Sequence, residues 1–303
     1  AENGVITYTA SVTSPVTGTP VIVTLSNGQS ITIPVGSSSG TVQFTAPNDV
    51  YNGANPVSTT ITGVSGGNFE SLVPNPAAAV TTVTDSVDTT TVTLGANPSV
   101  AENGVITYTA SVASPVTGTP VLVTLSNGQT ITIPVGGTSG TVQVTAPNDV
   151  YNGAAPISAT ITGVSGGNFE SLVGSPAPAV TTVTDSTDTT TVSLGASPSV
   201  AENGVITYTA SVTSPVTGTP VIVTLSNGQS ITIPVGSSSG TVQFTAPNDV
   251  YNGANPVSTT ITGVSGGNFE SLVPNPAAAV TTVTDSVDTT TVTLGANPSV
   301  AEN

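Results

Sequence analysis

The stretch AVTTVTDSTDTTTVSLGASPSVAENGVITYTASV, residues 179–212, decides the fold. Every second residue is apolar at 206, 208, 210 and 212 and again at 192 and 194, and Val, Ile, Thr and Tyr fill most of 179–184, 189–194 and 205–212. Such alternation marks strands with one buried face, and β-branched residues suit a pleated surface better than a helix. The intervening DSTD and GASPSVAENG are rich in residues that break ladders and make turns. The polar segment 185–188 closes one strand and precedes the next, so a unit boundary falls there.

Moving outward, the whole stretch recurs. Residues 1–100 and 201–300 are identical, and residues 101–200 differ from them at fifteen positions, such as Ile22 against Leu122 and Phe44 against Val144. A period of 100 residues exceeds that of solenoids and suits one self-sufficient sandwich domain. In the middle copy, strands are predicted at 89–95, 105–112, 121–125, 131–135, 141–146, 157–163 and 179–184. Seven short strands without helical periodicity predict an all-β chain of tandem immunoglobulin-like Greek-key sandwiches in an extended array. The inward positions are Ile106, Tyr108, Ala110, Val112, Val121, Val123, Leu125, Ile131, Ile133 and Val135. The predicted units are 1–87 without its first strand, 88–187 and 188–287 complete, and 288–303 as the first strand of a following repeat.

Composition removes most chemistry. The 303 residues hold no Lys, Arg, His, Cys, Met or Trp, and the net charge is −16. Without His, Cys or Lys there is no His-activated nucleophile, no Schiff base and no imidazole zinc site. Without cations, nothing grips phosphate, so nucleic acid is excluded as a partner and direct contact with an anionic membrane is disfavoured. A glycosidase-style carboxylate pair would need a cleft and aromatic sugar platforms, so neither an enzyme nor a small-molecule substrate is expected. No apolar run is long enough for a membrane helix, and no signal peptide opens the chain, which reads as a fragment of something longer.

The acids form a constellation. Each copy carries five, all in predicted loops; in the middle copy they are Glu102, Asp149, Glu170, Asp185 and Asp188. Greek-key topology brings Glu102, the Asn148-Asp149 loop, Asp185 and Asp188 to the trailing end of the domain. The following repeat presents GGNFES there, with Asn268 and Glu270. The same set recurs as Glu2, Asp49, Asp85 and Asp88 with Asn168 and Glu170, and as Glu202, Asp249, Asp285 and Asp288. Clustered carboxylates and amides on flexible loops select hard cations and favour calcium. Such an ion would clamp neighbouring repeats of the same chain. Two other readings remain open: Asp149-Val150-Tyr151 as a tyrosine-corner turn, and Glu170 as the cap of its own turn.

The stretches AENGVITYTASV, VTLSNGQSITIPVG, APNDVYNG, ITGVSGGNFESLV and AVTTVTDSVDTTTVTL carry a resemblance that covers all three copies. The chain resembles the tandem extender repeats of giant bacterial RTX adhesins, such as the 100-residue repeats of the large adhesion proteins of biofilm-forming pseudomonads. The repeats of the Antarctic ice-binding adhesin are similar. The resemblance implies calcium-bound immunoglobulin-like domains, type I export and an extracellular position on an outer-membrane-retained adhesin. It also implies interdomain calcium at Glu102, Asp149, Asp185 and Asp188. The expected function is a non-catalytic, calcium-rigidified spacer in adhesion and biofilm formation. The competing expectation is a multivalent module that binds a surface glycan or matrix component.

Overall fold

The computed structural model describes residues 1–53, 55–253 and 255–302. Among them every regular element is a strand, and the chain forms small sheets repeated along its length. The described residues fall into two compact units. One comprises Ala1–Pro98, Ile106–Val144 and Ser158–Thr181; the other comprises Ser99–Val105, Thr145–Ile157 and Thr182–Asn303.

The third repeat, inside the second unit, shows the sandwich. Its first sheet runs in the order Ser239–Thr245, Val205–Ser211, Thr189–Ala196, Ser271–Pro274. Its opposing strands are ordered Ser230–Ile233, Val221–Leu225, Ile261–Ser265, and a third group joins Ser199–Ala201, Ala279–Thr284 and Val257–Thr259. The core between them is Val192, Ile206, Tyr208, Val221, Val223, Ile231 and Ile233, all fully buried, with Leu225 and Phe269 beside them. Strict alternation explains this packing: Val221–Leu225 reads buried, exposed, buried, exposed, buried along its five residues.

Thr189–Ala196 pairs antiparallel with the strand that follows it, Ser193 opposite Ser211 and Ala196 opposite Tyr208. On its other side it pairs parallel with Ser271–Pro274. In the first unit, Thr89–Ala96 makes the equivalent bonds with Tyr108–Ser111 and Ser171–Gly174.

Three expectations need correction. The strand predicted at 157–163 is two, Ile157–Ala159 and Ile161–Ser165. The second pairs with Val121–Leu125, while Thr160 lends its carbonyl to Ser126 N–H and its own N–H to Ser126 Oγ. A side-chain-supported break of one residue lets the chain change sheets without orphaning a backbone group. Val135, placed inward above, is 52% exposed. The strand Thr130–Ile133 ends before Pro134, which has no N–H for a ladder, and the chain turns so that Gly136 N–H reaches Val116 O. Two short strands, Ser99–Ala101 and Ser171–Gly174, lie in segments read as turns.

Candidate metal centre

The trailing end of each repeat is built from a turn, a strand end and a loop. At Ala101-Glu102-Asn103-Gly104 the chain reverses with Asn103 in the left-handed region (φ 58°), a conformation Asn tolerates, and Gly104 N–H bonds Ala101 O. Glu102 N–H bonds Thr184 O, which fixes this glutamate beside the last strand. Its Oε2 accepts from Ser186 N–H at 3.1 Å and lies 3.4 Å from Ser186 Oγ, and the residue is only 6% exposed. Asp185, at the strand end, accepts from Gly153 N–H at 2.6 Å and Ala154 N–H at 2.7 Å.

The third carboxylate arrives from the next repeat. Glu270 N–H bonds Val150 O, and Glu270 Oε2 accepts from Asp188 N–H. Carboxylate oxygens of Glu102, Asp185 and Glu270 lie within 4.8 Å of one another, all inside the second unit. Inside the first unit, Glu2, Asp85 and Glu170 repeat the arrangement. There Glu2 accepts from Ser86 N–H and Oγ and from Asp49 N–H, Asp85 from Gly53 N–H, and Glu170 Oε2 from Asp88 N–H. Glu170 Oε1 and Glu270 Oε1 are buried and have no hydrogen-bond partner.

Hydrogen bonding also shifts the acids. Glu2 is held below the ordinary glutamate value of 4.5, chiefly because Ser86 N–H bonds its charged form, against a smaller opposing effect of burial. Glu202 is lowered likewise, first by Ser286 N–H and then by its hydroxyl.

What carries Glu170 and Glu270 into place is a cross-repeat latch. Tyr51 and Phe169 form an isolated antiparallel bridge, and their rings stack at 5.4 Å. Asn52 N–H bonds Asn168 O, Asn52 Nδ2 bonds Phe169 O, and Asn168 Nδ2 returns to Asn52 O at 2.9 Å. Tyr51 OH donates to Pro115 O at 2.6 Å. The loop bearing Phe169 requires glycine: Gly166 and Gly167 have φ of 84° and 72°, and a Cβ on Gly167 would stand 2.8 Å from the Phe169 ring. Tyr151, Asn152, Asn268 and Phe269 repeat every part of the latch, with Tyr151 OH on Pro215 O.

Thus the sequence-predicted residues sort themselves. Glu2, Asp85 and Glu170 come together, as do Glu102, Asp185 and Glu270. Asp49 and Asp149 stand outside these clusters and cap their own loops through Tyr51 N–H and Tyr151 N–H. Asp88 and Asp188 accept from Asn48 and Asn148 Nδ2. Asn168 and Asn268 spend their amides on backbone carbonyls. In the third repeat, Glu202, Asp249, Asp285 and Asp288 keep the local bonds, with no third carboxylate beside Glu202 and Asp285 among the described residues. The tyrosine-corner alternative fails, because the Tyr51 and Tyr151 hydroxyls bond the following repeat rather than their own corner. The aromatic latch itself was missed, although a lone aromatic in each of PNDVYNG and GGNFES pointed to it.

A model of the LapA domain matches residues 1–86, 88–186 and 188–286. The chain belongs to the LapA domain family. LapA repeats are bacterial adhesin-type, structural modules of cell-surface proteins. No curated protein matches this chain significantly. Among the described residues no helix is long and apolar enough to cross a membrane, which leaves β-barrel spans untouched. For a LapA repeat, then, the acids at the two junctions form clusters able to hold a metal ion.

Proposed function

We infer that this chain is a calcium-rigidified spacer of a bacterial adhesin, in which the ion ties the trailing end of one repeat to the leading loop of the next. The observation that carries the reading is the pair of buried, unpartnered oxygens, Glu170 Oε1 and Glu270 Oε1, each beside two carboxylates of the preceding repeat. A buried charged oxygen without a donor is costly, and three carboxylates in such proximity repel. The chain has no Lys or Arg to relieve either cost. A divalent cation relieves both.

The donor set fits. Every candidate ligand is a hard oxygen on a loop, which suits the longer, flexible coordination of calcium over the rigid octahedron of magnesium. Glu102, Asp185 and Glu270 would hold one ion, and Glu2, Asp85 and Glu170 another. A calcium ion supplies no redox or acid–base chemistry here; it supplies positive charge that three carboxylates share across a junction. Extracellular calcium modules bind at about 10⁻⁴–10⁻³ M, so the junction would be loose in a low-calcium cytosol and set outside the cell. Export and retention at the outer membrane, with binding modules elsewhere on the adhesin, complete the proposal.

Small-angle scattering with calcium and with chelator tests it. Chelation is expected to raise flexibility and change the maximum dimension, and Glu170→Gln with Glu270→Gln to reproduce that change with calcium present. Identical profiles in calcium and chelator would end the clamp.

A further inference from the structure

The two junctions are assembled from the same acids, yet one loop residue separates them. Where the first and third repeats carry Asn55 and Asn255, the middle repeat carries Ala155. Asn55 Nδ2 donates to Asp49 Oδ2 at 3.1 Å, and Asn255 Nδ2 donates to Asp249 Oδ2 at 2.8 Å. In the same two repeats the aspartate N–H donates to the glutamate, Asp49 to Glu2 Oε1 at 3.3 Å and Asp249 to Glu202 Oε1 at 3.2 Å. Both acids are thus engaged in local hydrogen bonds. Alanine offers no side-chain donor, and the middle repeat forms neither bond among the described residues.

What the middle repeat has instead is space. Glu102 and Asp149 both line a cavity of about 210 Å³, and the rest of its wall is proline, alanine, isoleucine and valine. Glu102 is buried, and its Oε1 accepts no hydrogen bond among the described residues, since Ser186 occupies Oε2. Asp149 keeps Oδ1 on Tyr151 N–H and leaves Oδ2 without a donor among the described residues. Two carboxylates on an apolar cavity, one of them buried, are unfavourable until a cation joins them. A water takes about 30 Å³ in the liquid, so the space admits an ion together with water. Glu102, Asp149, Asp185 and Glu270 all belong to the second unit.

We propose that Ala155 makes the junction of the middle and third repeats the tighter of the two calcium sites. It does so by leaving Asp149 free to join Glu102, Asp185 and Glu270 around the ion, directly or through a water. The inference rests on the calcium reading above. At the junction of the first and second repeats, Asp49 must first give up Asn55, and Glu2 must give up the Asp49 N–H. The number of charged ligands is one of the quantities that tune calcium affinity. A hydrogen bond to a charged group that need not be broken corresponds to about tenfold in affinity. The chain therefore stiffens in two steps as calcium rises, the junction at Glu102 before the junction at Glu2. Position 155, which touches no ion, sets the order.

Calorimetric titration of calcium chloride into the whole chain tests the proposal, beside Ala155→Asn and Asn55→Ala. Both positions are exposed, so neither change disturbs the core. The unaltered chain is expected to show two sites about tenfold apart in affinity. Ala155→Asn should bring the tighter site down to the weaker one, and Asn55→Ala should raise the weaker one, both with the stoichiometry kept. Asp149→Asn retains an oxygen for Tyr151 N–H and should likewise lower the tighter site. Hydrogen exchange of Gly53 and Gly153 during the titration assigns the sites, because their N–H groups bond Asp85 and Asp185. Gly153 should gain protection at the lower calcium concentration. Two sites of equal affinity, or unequal sites that Ala155→Asn and Asn55→Ala leave unchanged, overturn this inference and leave the clamp standing. A chain that binds no calcium overturns both.

Discussion

The first and third repeats have the same hundred residues and different surroundings, so they act as controls for each other. At the leading end the third has the strand Thr189–Ala196 and the first has an open edge. The consequences reach across the sandwich. Ser271–Pro274 and the six-residue Ala279–Thr284 are strands in the third repeat; in the first, residues 71–74 are not, and only Ala79–Thr81 remains of the last strand. Thr281 is fully buried while Thr81 is only partly so, and Val73 is 77% exposed. At the trailing end the roles reverse. Tyr51 is half-buried against Phe169 in the next repeat, whereas Tyr251 is 77% exposed. Glu2 and Asp85 have Glu170 beside them, whereas Glu202 and Asp285 have no such neighbour among the described residues. The sequence of one copy therefore specifies a core that its neighbours finish at both ends.

The largest effect should come from breaking the leading strand. Val192→Asp puts a charge where a fully buried valine sits, and is expected to destabilise the third repeat by more than about 3 kcal/mol. The same change at the exposed Val292 of the isolated chain should stay within about 0.5 kcal/mol. Residue-resolved hydrogen exchange reads both, and equal effects would show that the leading strand does not complete the sandwich.

Calcium sharpens the trailing-end comparison. At about 100 times its dissociation constant, calcium should stabilise each three-carboxylate junction by about 2.7 kcal/mol. The residues around Glu202 and Asp285 should gain far less. Hydrogen exchange of Gly53, Gly153 and Gly253, whose N–H groups bond Asp85, Asp185 and Asp285, separates the three ends. Uniform protection would contradict the assignment of the ion to the cross-repeat glutamate.

A smaller effect distinguishes the middle copy. Tyr8 and Tyr208 share a buried hydrogen bond with Thr59 and Thr259 at 2.8 Å. The middle copy has Ala159 at that position, and burial pushes the Tyr108 phenol up from its ordinary value. Tyr208→Phe should cost about 1–2 kcal/mol, because it also strands Thr259, and Tyr108→Phe should cost less. Ala159→Thr should gain up to about 1 kcal/mol in the melting of the middle repeat.

The smallest effect is on pH. Glu2 and Glu202 have folded values below 4.5, so their hydrogen bonds contribute stability above that value and lose it as the pH falls through the depressed folded value. A shallow drop in melting temperature on acidification is expected, flattened by Glu202→Gln in the third repeat.

Much of this was legible in the sequence, for identifiable reasons. Alternation exposed the long strands because one face of each is buried. The gathering of Glu102, Asp185 and Glu270 followed from Greek-key topology, which puts alternate loops at one end. What escaped depends on local hydrogen bonding. The break at Thr160 rests on Ser126 Oγ, and the retreat of Val135 rests on the proline before it. Ser99–Ala101 and Ser171–Gly174 are too short to show a period. Asn168 looked like a ligand because amide and carboxylate both offer oxygen, yet its Nδ2 secures the latch.

The most direct measurement is calorimetric titration of calcium into the whole chain, beside Glu170→Gln, Glu270→Gln and the double variant. The account predicts that each single change weakens or removes one site, that the double change removes both, and that Tyr51→Phe leaves the stoichiometry intact. An isotherm unchanged by the double variant would contradict the claim that the glutamate of the following repeat completes the site.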